Sequence, residues 1–121
     1  MNPNGAFTAA GVRFEQITDG LSNTLLVGEK HVPRGAEGAY PWDCGHYDGH
    51  NPVCNTRPAG PEFPLAVQPN DTYWKFGSHH PNLCQFVFCD GSVHTLSTAI
   101  DPVTLGLLSQ RNDYLPTPSI Y

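Results

Sequence analysis

Between Leu83 and Leu96 the chain reads LCQFVFCDGSVHTL, an aromatic and apolar run that meets Asp90-Gly91 and then returns. Strand-forming residues on both sides of an Asp-Gly pair predict a β-hairpin with a two-residue turn. Counting outward from that turn places Cys89 opposite Ser92, Phe88 opposite Val93, Val87 opposite His94 and Phe86 opposite Thr95. Side chains alternate between the faces of a strand, so this register groups Phe86, Phe88 and Val93 on one face, taken as the core face. Val87, His94, Gln85 and Leu96 fall on the other.

Other elements follow from weaker patterns. Thr24 to Lys30, TLLVGEK, is almost continuously apolar and predicts a strand buried on both faces. Val12 to Ile17 alternates enough for a short strand that stops at Thr18-Asp19-Gly20, where turn chemistry is strong, and Leu21 to Thr24 then connects. Thr72 to Phe76, TYWKF, reads as another strand. Asp101-Pro102 is an N-cap followed by proline at the first helical position, so a helix from Pro102 to about Arg111 is expected, with Val103, Leu107 and Leu108 on one side and Asn112 as its stop. Met1 to Gly11 is a polar lead-in, and DYLPTPSIY is expected to run extended. The pattern predicts an α+β fold, mainly antiparallel β, as a single domain over residues 1–121, with a central hairpin and a short C-terminal helix.

His31 to Asp71 breaks this regularity with seven prolines and aromatic residues without period. So long a loop excursion inside a compact domain is functional or held by a staple. Cys44 and Cys54 flank the turn-rich CGHYDGHNPVC, which lets the chain fold back, and a Cys44–Cys54 disulfide is the expected staple. Cys84 and Cys89 lie on one strand, on opposite faces and too far apart to bridge each other. An even cysteine count with a stapled loop points to an oxidising compartment.

Charge narrows the partners. The chain carries six basic and eleven acidic residues, a net charge of −5, with no basic run. Nothing in it gains affinity for nucleic acid or an anionic membrane surface by neutralising phosphates. No stretch reaches the roughly eighteen apolar residues of a spanning helix, so no membrane insertion by these residues is expected.

Candidate chemistry is sparse. His80 and Asp90-Gly91 form the pattern H-x9-D-G, but a strand from Leu83 to Cys89 spans roughly 20 Å and holds the two ends apart. The expected roles are therefore structural: Asp90-Gly91 makes the turn, and His80 is a hydrogen-bonded histidine that orients the lead into the strand. His46, Asp48 and His50 alternate inside the disulfide loop, and with His31 or Asp43 they could hold a zinc-like ion; a solvated polar loop is the competing reading. Trp42, Tyr40, Tyr47, Tyr73 and Trp74 could form an aromatic platform for glycans, weighed against packing beneath the long loop. No nucleophile elbow, C-x-x-C, H-E-x-x-H or phosphate-binding glycine loop occurs, so neither an enzyme nor a cofactor is expected.

FGSHHPNLCQFVFCDGSVHTLS resembles the C-terminal signature of planctomycete-type pilin-like secreted proteins, named for an H-x9-DG protein-sorting domain, with His80, Asp90 and Gly91 at the named positions. ITDGLSNTLLVGEK, which includes Asp19, Gly20 and Glu29, resembles a second signature of the same family. The resemblance implies a pilin-like head exported through a type II secretion or pilus-like machinery, with sibling subunits or that machinery as partners. Members typically begin with a prepilin-like leader and a long apolar helix, neither of which occurs in these residues. The head is thus expected to be cut from a longer protein or unable to assemble through that helix, and to show an exposed apolar patch or partner surface where the helix would pack. The leading expectation is a non-enzymatic, extracytoplasmic structural or interaction subunit. Its rival is a surface module for extracellular polysaccharide or metal, built on Trp42, Trp74 and the His46, Asp48, His50 loop.

Overall fold

The computed structural model describes residues 5–6, 11–44, 52–72 and 74–111. The expectations for His46, Asp48, His50, Tyr47, Tyr73, Asn112, the first residues and the tail lie partly or wholly outside that set. Among the described residues the regular elements are β1 (Leu25–Gly28), α1 (Pro52–Asn55), β2 (Leu83–Phe88), β3 (Val93–Ser97) and α2 (Pro102–Leu108), with 3-10 turns at Phe14–Gln16 and Leu21–Asn23. The strands form one antiparallel sheet in the order β1-β2-β3, so the fold is α+β with the hairpin at its centre.

The hairpin is present but one residue out of the expected register. Val87 faces Val93, Phe86 faces His94 and Cys84 faces Leu96. The turn explains the difference. Gly91 N–H donates to the Phe88 carbonyl at 2.9 Å and Phe88 N–H to the Ser92 carbonyl at 2.8 Å, which leaves a three-residue loop, Cys89-Asp90-Gly91. Gly91, at φ +86°, takes the left-handed position that such a loop needs. A one-residue shift turns a strand over. Leu96 therefore joins Cys84, Phe86 and Phe88 in the core, while Val93 is 62% exposed.

β1 pairs with β2 through a register shift between Leu25 and Val27. It is not buried on both faces as expected: Leu25 enters the core, but Val27 is 53% exposed. The core lies on the other face of the sheet, where Leu25, Cys84, Phe86, Phe88 and Leu96 meet Leu65 and the α2 residues Leu105 and Leu108.

Helix α2 starts where the sequence placed it. Asp101 accepts the Val103 N–H, Pro102 stands in the first turn, and Thr104 Oγ1 donates to Asp101 Oδ2 at 3.3 Å. Its phase differs from the expectation, since Val103 is exposed and Thr104, Leu105, Gly106 and Leu108 are buried. Gly106 settles that phase: a Cβ there would lie 3.2 Å from the Gly60 backbone, so only this side of the helix can approach the excursion so closely. The helix ends at Leu108, earlier than expected, with Ser109 Oγ donating to the Gly106 carbonyl at 2.7 Å.

Two expected strands are not strands. Phe14–Gln16 is a 3-10 turn in which Gln16 Oε1 accepts the Arg13 N–H at 2.8 Å, a local closure that outcompetes weak alternation. Among the described residues of Thr72 to Phe76 only Phe76 pairs, in a single bridge with Lys30.

Candidate functional site

The motif residues act on the backbone. At the end of β1, Glu29 N–H donates to the Gln85 carbonyl at 3.2 Å, the ladder bond expected there. The reciprocal bond is replaced: Gln85 N–H donates at 2.8 Å to Glu29 Oε2, because the Glu29 carbonyl accepts from Gly77 N–H at 2.9 Å. The Glu29 side chain thus splices two pairings, letting the chain leave β2 for the Phe76–Gly77 segment without an unmet donor. Gly28 beside it can be nothing larger, since a Cβ would run into the Phe86 ring and come within 2.9 Å of Phe76. Phe76 and Phe86 meet edge-on, with centroids 5.2 Å apart. The Gly-Glu pair is therefore a packing and splicing device.

The loop leading into β2 is tied by Ser78 rather than by the His80 ring. Ser78 Oγ donates to the Leu83 carbonyl at 2.7 Å and accepts the His80 N–H at 3.1 Å, while the His80 side chain is exposed. His79 Nε2 donates to the Val32 carbonyl at 3.2 Å, since a carbonyl can only accept. At the far end of β2, Asp90 Oδ1 accepts both the N–H and the hydroxyl of Ser92, and these bonds hold its carboxyl below the usual range. Having donated to Asp90, the Ser92 oxygen is left to accept from His94 Nε2, 3.0 Å away. Asp, Ser and His are thus chained in the wrong order for a nucleophile: the histidine does not face the serine as a base, and the carboxylate does not orient the histidine. The chain locks the turn, and His94 packs edge-on against Phe88 at 4.7 Å.

Asp19 and Gly20 belong to the same frame. Asp19 N–H donates to the Arg111 carbonyl at 3.0 Å, and Gly20, at φ +98°, begins the 3-10 turn that delivers Thr24 to the sheet. Thr24 Oγ1 donates back to the Gly20 carbonyl at 3.1 Å.

The excursion is built around two cations that sequence reasoning passed over. Arg57 is buried, and its guanidinium donates to five carbonyls: those of Val53, Cys54, Thr56, His31 and Trp42. Lys30 Nζ donates to the carbonyls of both Cys44 and Cys54 at 3.2 Å and pairs with Asp43 at 2.9 Å. The Cys44–Cys54 disulfide is present, with Cα atoms 5.6 Å apart, while Cys84 and Cys89 are free thiols. A signal for Arg57 existed. It is a lone cation amid apolar and proline-rich sequence, where a positive charge needs carbonyls.

Trp42 and Trp74 do come together, stacked with centroids 4.3 Å apart at 28°. Trp74 Nε1 donates to the Val53 carbonyl at 2.8 Å, and Arg57 lies 5.7 Å from the Trp74 ring centroid. Each indole spends a face on the other, an arrangement suited to holding the excursion in place. Of the candidate fourth metal ligands, His31 is 1% exposed and donates from Nε2 to the Asp71 carbonyl at 2.7 Å, and Asp43 is engaged by Lys30.

The outer face of the sheet is the remaining candidate. Val27 faces Val87 and Val87 faces Val93, so one valine from each strand forms a row across it. The surrounding depression, lined also by Gly28, Glu29 and Gln85, has a volume of about 350 Å³. Among the described residues no helix is long and apolar enough to cross a membrane.

Residues 1–103 match a protein family described as "Protein of unknown function (DUF1559)". No curated protein and no solved structure matches the chain.

Proposed function

The chain belongs to the DUF1559 family, and we propose that it is a non-enzymatic, extracytoplasmic, pilin-like head that serves as a structural or interaction subunit. The observation that carries this reading is the valine row Val27–Val87–Val93, an apolar strip left open on the outer face of a sheet whose other face is fully packed. Such a strip is what a sheet presents when another apolar element, such as a helix, is meant to lie on it. The Cys44–Cys54 disulfide is compatible with an extracytoplasmic location. Of the H-x9-DG pattern, Asp90 and Gly91 make the hairpin turn while the His80 side chain is exposed on the folded surface, so a sorting machine would read the folded head. Sibling subunits or a secretion machinery are the partners this reading names.

The test is sedimentation of the purified chain over a concentration series, with electron micrographs of the same samples. Concentration-dependent association or ordered assemblies are expected. A strict monomer with no affinity for sibling subunits contradicts the reading, and stoichiometric metal or a saccharide preference would move the function to the excursion.

A further inference from the structure

Among the described residues the sheet has two edges, β1 and β3, and they are treated differently. β1 is four residues long, shifts register between Leu25 and Val27, and passes through Glu29 into the Lys30–Phe76 bridge. Irregularity and a local partner both blunt it. β3, Val93–Ser97, has five residues with no proline, no Lys, Arg, Asp or Glu, and regular pairing along its length. Monomeric proteins seldom leave an edge so plain.

The ladder fixes which groups that edge offers. Phe88 N–H donates to Ser92 and Thr98 N–H to Asn82, which bracket the hairpin. In an antiparallel pair bonded and non-bonded positions alternate, so Phe86↔His94 and Cys84↔Leu96 exchange hydrogen bonds. The backbone N–H and C=O of Val93 and Thr95 then point away from β2, and both residues are exposed.

We infer that β3 is the pairing edge for a second copy of this chain, joined antiparallel about a twofold axis at Thr95, so that two three-stranded sheets become one of six strands. This rests on the structural-subunit reading above. Charge selects a second copy over another partner. The chain carries a net charge of −5, so copies repel wherever charged surfaces meet, yet residues 91–100 contain no Asp, Glu, Lys or Arg. On the outer face the neighbours of β3 are Gln85 and Val87, also uncharged. An antiparallel edge is moreover complementary to itself: Thr95 exchanges two hydrogen bonds with Thr95 of the other copy, and Val93 lies opposite Ser97. Asp90 and Asp101 flank the strip, so pairing tightens as salt screens them. A five-residue edge is smaller than a standard stable interface, so pairing is weak and reversible and shows at high concentration.

The experiment combines sedimentation equilibrium with amide hydrogen exchange by NMR, each over a concentration series, on the wild-type chain and on Thr95→Lys. The wild type is expected to shift toward twice the monomer mass, with exchange at Val93 and Thr95 slowing at least about tenfold as the dimer forms. Thr95→Lys keeps the wild-type melting temperature and stays monomeric. Association that persists in Thr95→Lys, with exchange at Val93 and Thr95 independent of concentration, overturns the edge while leaving the subunit reading intact. A wild-type chain that is monomeric throughout overturns both.

Discussion

The Glu29 carboxylate accepts the Gln85 backbone N–H at 2.8 Å, in the place that the Glu29 carbonyl would occupy in an unbroken ladder. That carbonyl is free to accept from Gly77, so one side chain joins the sheet to the segment that closes over its end. Glu29→Gln keeps an acceptor and should change stability by less than about 0.5 kcal/mol, whereas Glu29→Ala leaves the Gln85 donor to water and should cost about 1 kcal/mol. Urea denaturation of the two variants separates them.

Gly28→Ala adds a methyl group that meets the Phe86 and Phe76 rings. Overpacking of this kind should destabilise by about 1–3 kcal/mol. The thermal midpoint should fall, and recover in part when Phe86→Leu is added, because the shorter side chain vacates the contact.

Arg57 ties five carbonyls from three segments, those around residues 31, 42 and 53–56. Arg57→Ala should cost about 2–4 kcal/mol, since charged hydrogen bonds are lost and buried acceptors stay unmet. Hydrogen exchange should rise between His31 and Asp71 first, with the β2–β3 ladder the last to open.

The free thiols should be slow to react. Burial pushes the Cys84 thiol up to about 12, and burial with the neighbouring Asp90 also raises Cys89. At pH 8 a thiol near 12 is roughly a thousandfold less ionised than an ordinary one. Alkylation of Cys84, followed by mass spectrometry, should therefore occur at the unfolding rate, while Cys89, only half-buried, is modified first.

Acid should loosen the excursion and the turn. Asp43 is held below its usual range by the Gly38 N–H and Lys30; Asp90 is held down by Ser92. Burial pushes Asp71 up, but the N–H groups of Gln68 and Val67 outweigh it, and it too is lowered. A carboxyl that is more acidic in the folded state stabilises above its unfolded value, near 3.8, and that stability is lost as pH falls through the lower folded value. Melting temperature should thus be flat from pH 7 to about 5 and drop below about 4. Asp43→Asn should be less stable than wild type at pH 7 and lose less of its stability on acidification.

How far the sequence carried this fold can be seen at single residues. The hairpin, the disulfide and the Asp101-Pro102 helix start were legible because each rests on short-range chemistry: an Asp-Gly turn, a loop that folds back, a cap. The register was not, because Asp-Gly serves both two- and three-residue loops, and the choice between them exchanges Val93 for Leu96 in the core. Arg57 and Lys30 were missed because their partners are carbonyls, which every residue has and no sequence advertises. Trp42 and Trp74 were named together, but their stacking depends on Arg57 and α1 bringing distant segments into register. The positions His46, Asp48 and His50 lie outside the described residues.

The proposed function puts the working surface on the outer face of the sheet and not on the excursion. Sedimentation of Val87→Asp beside Trp42→Ala, at concentrations where the wild-type chain associates, decides between the two surfaces. Val87 sits in the middle of the valine row and directly opposite Val93 of the β3 edge, so Val87→Asp, which puts a carboxylate beside that edge in each copy, should remain folded and monomeric while Trp42→Ala associates like wild type. Association unchanged in Val87→Asp and lost in Trp42→Ala would contradict the claim and place the working surface on the stacked indoles.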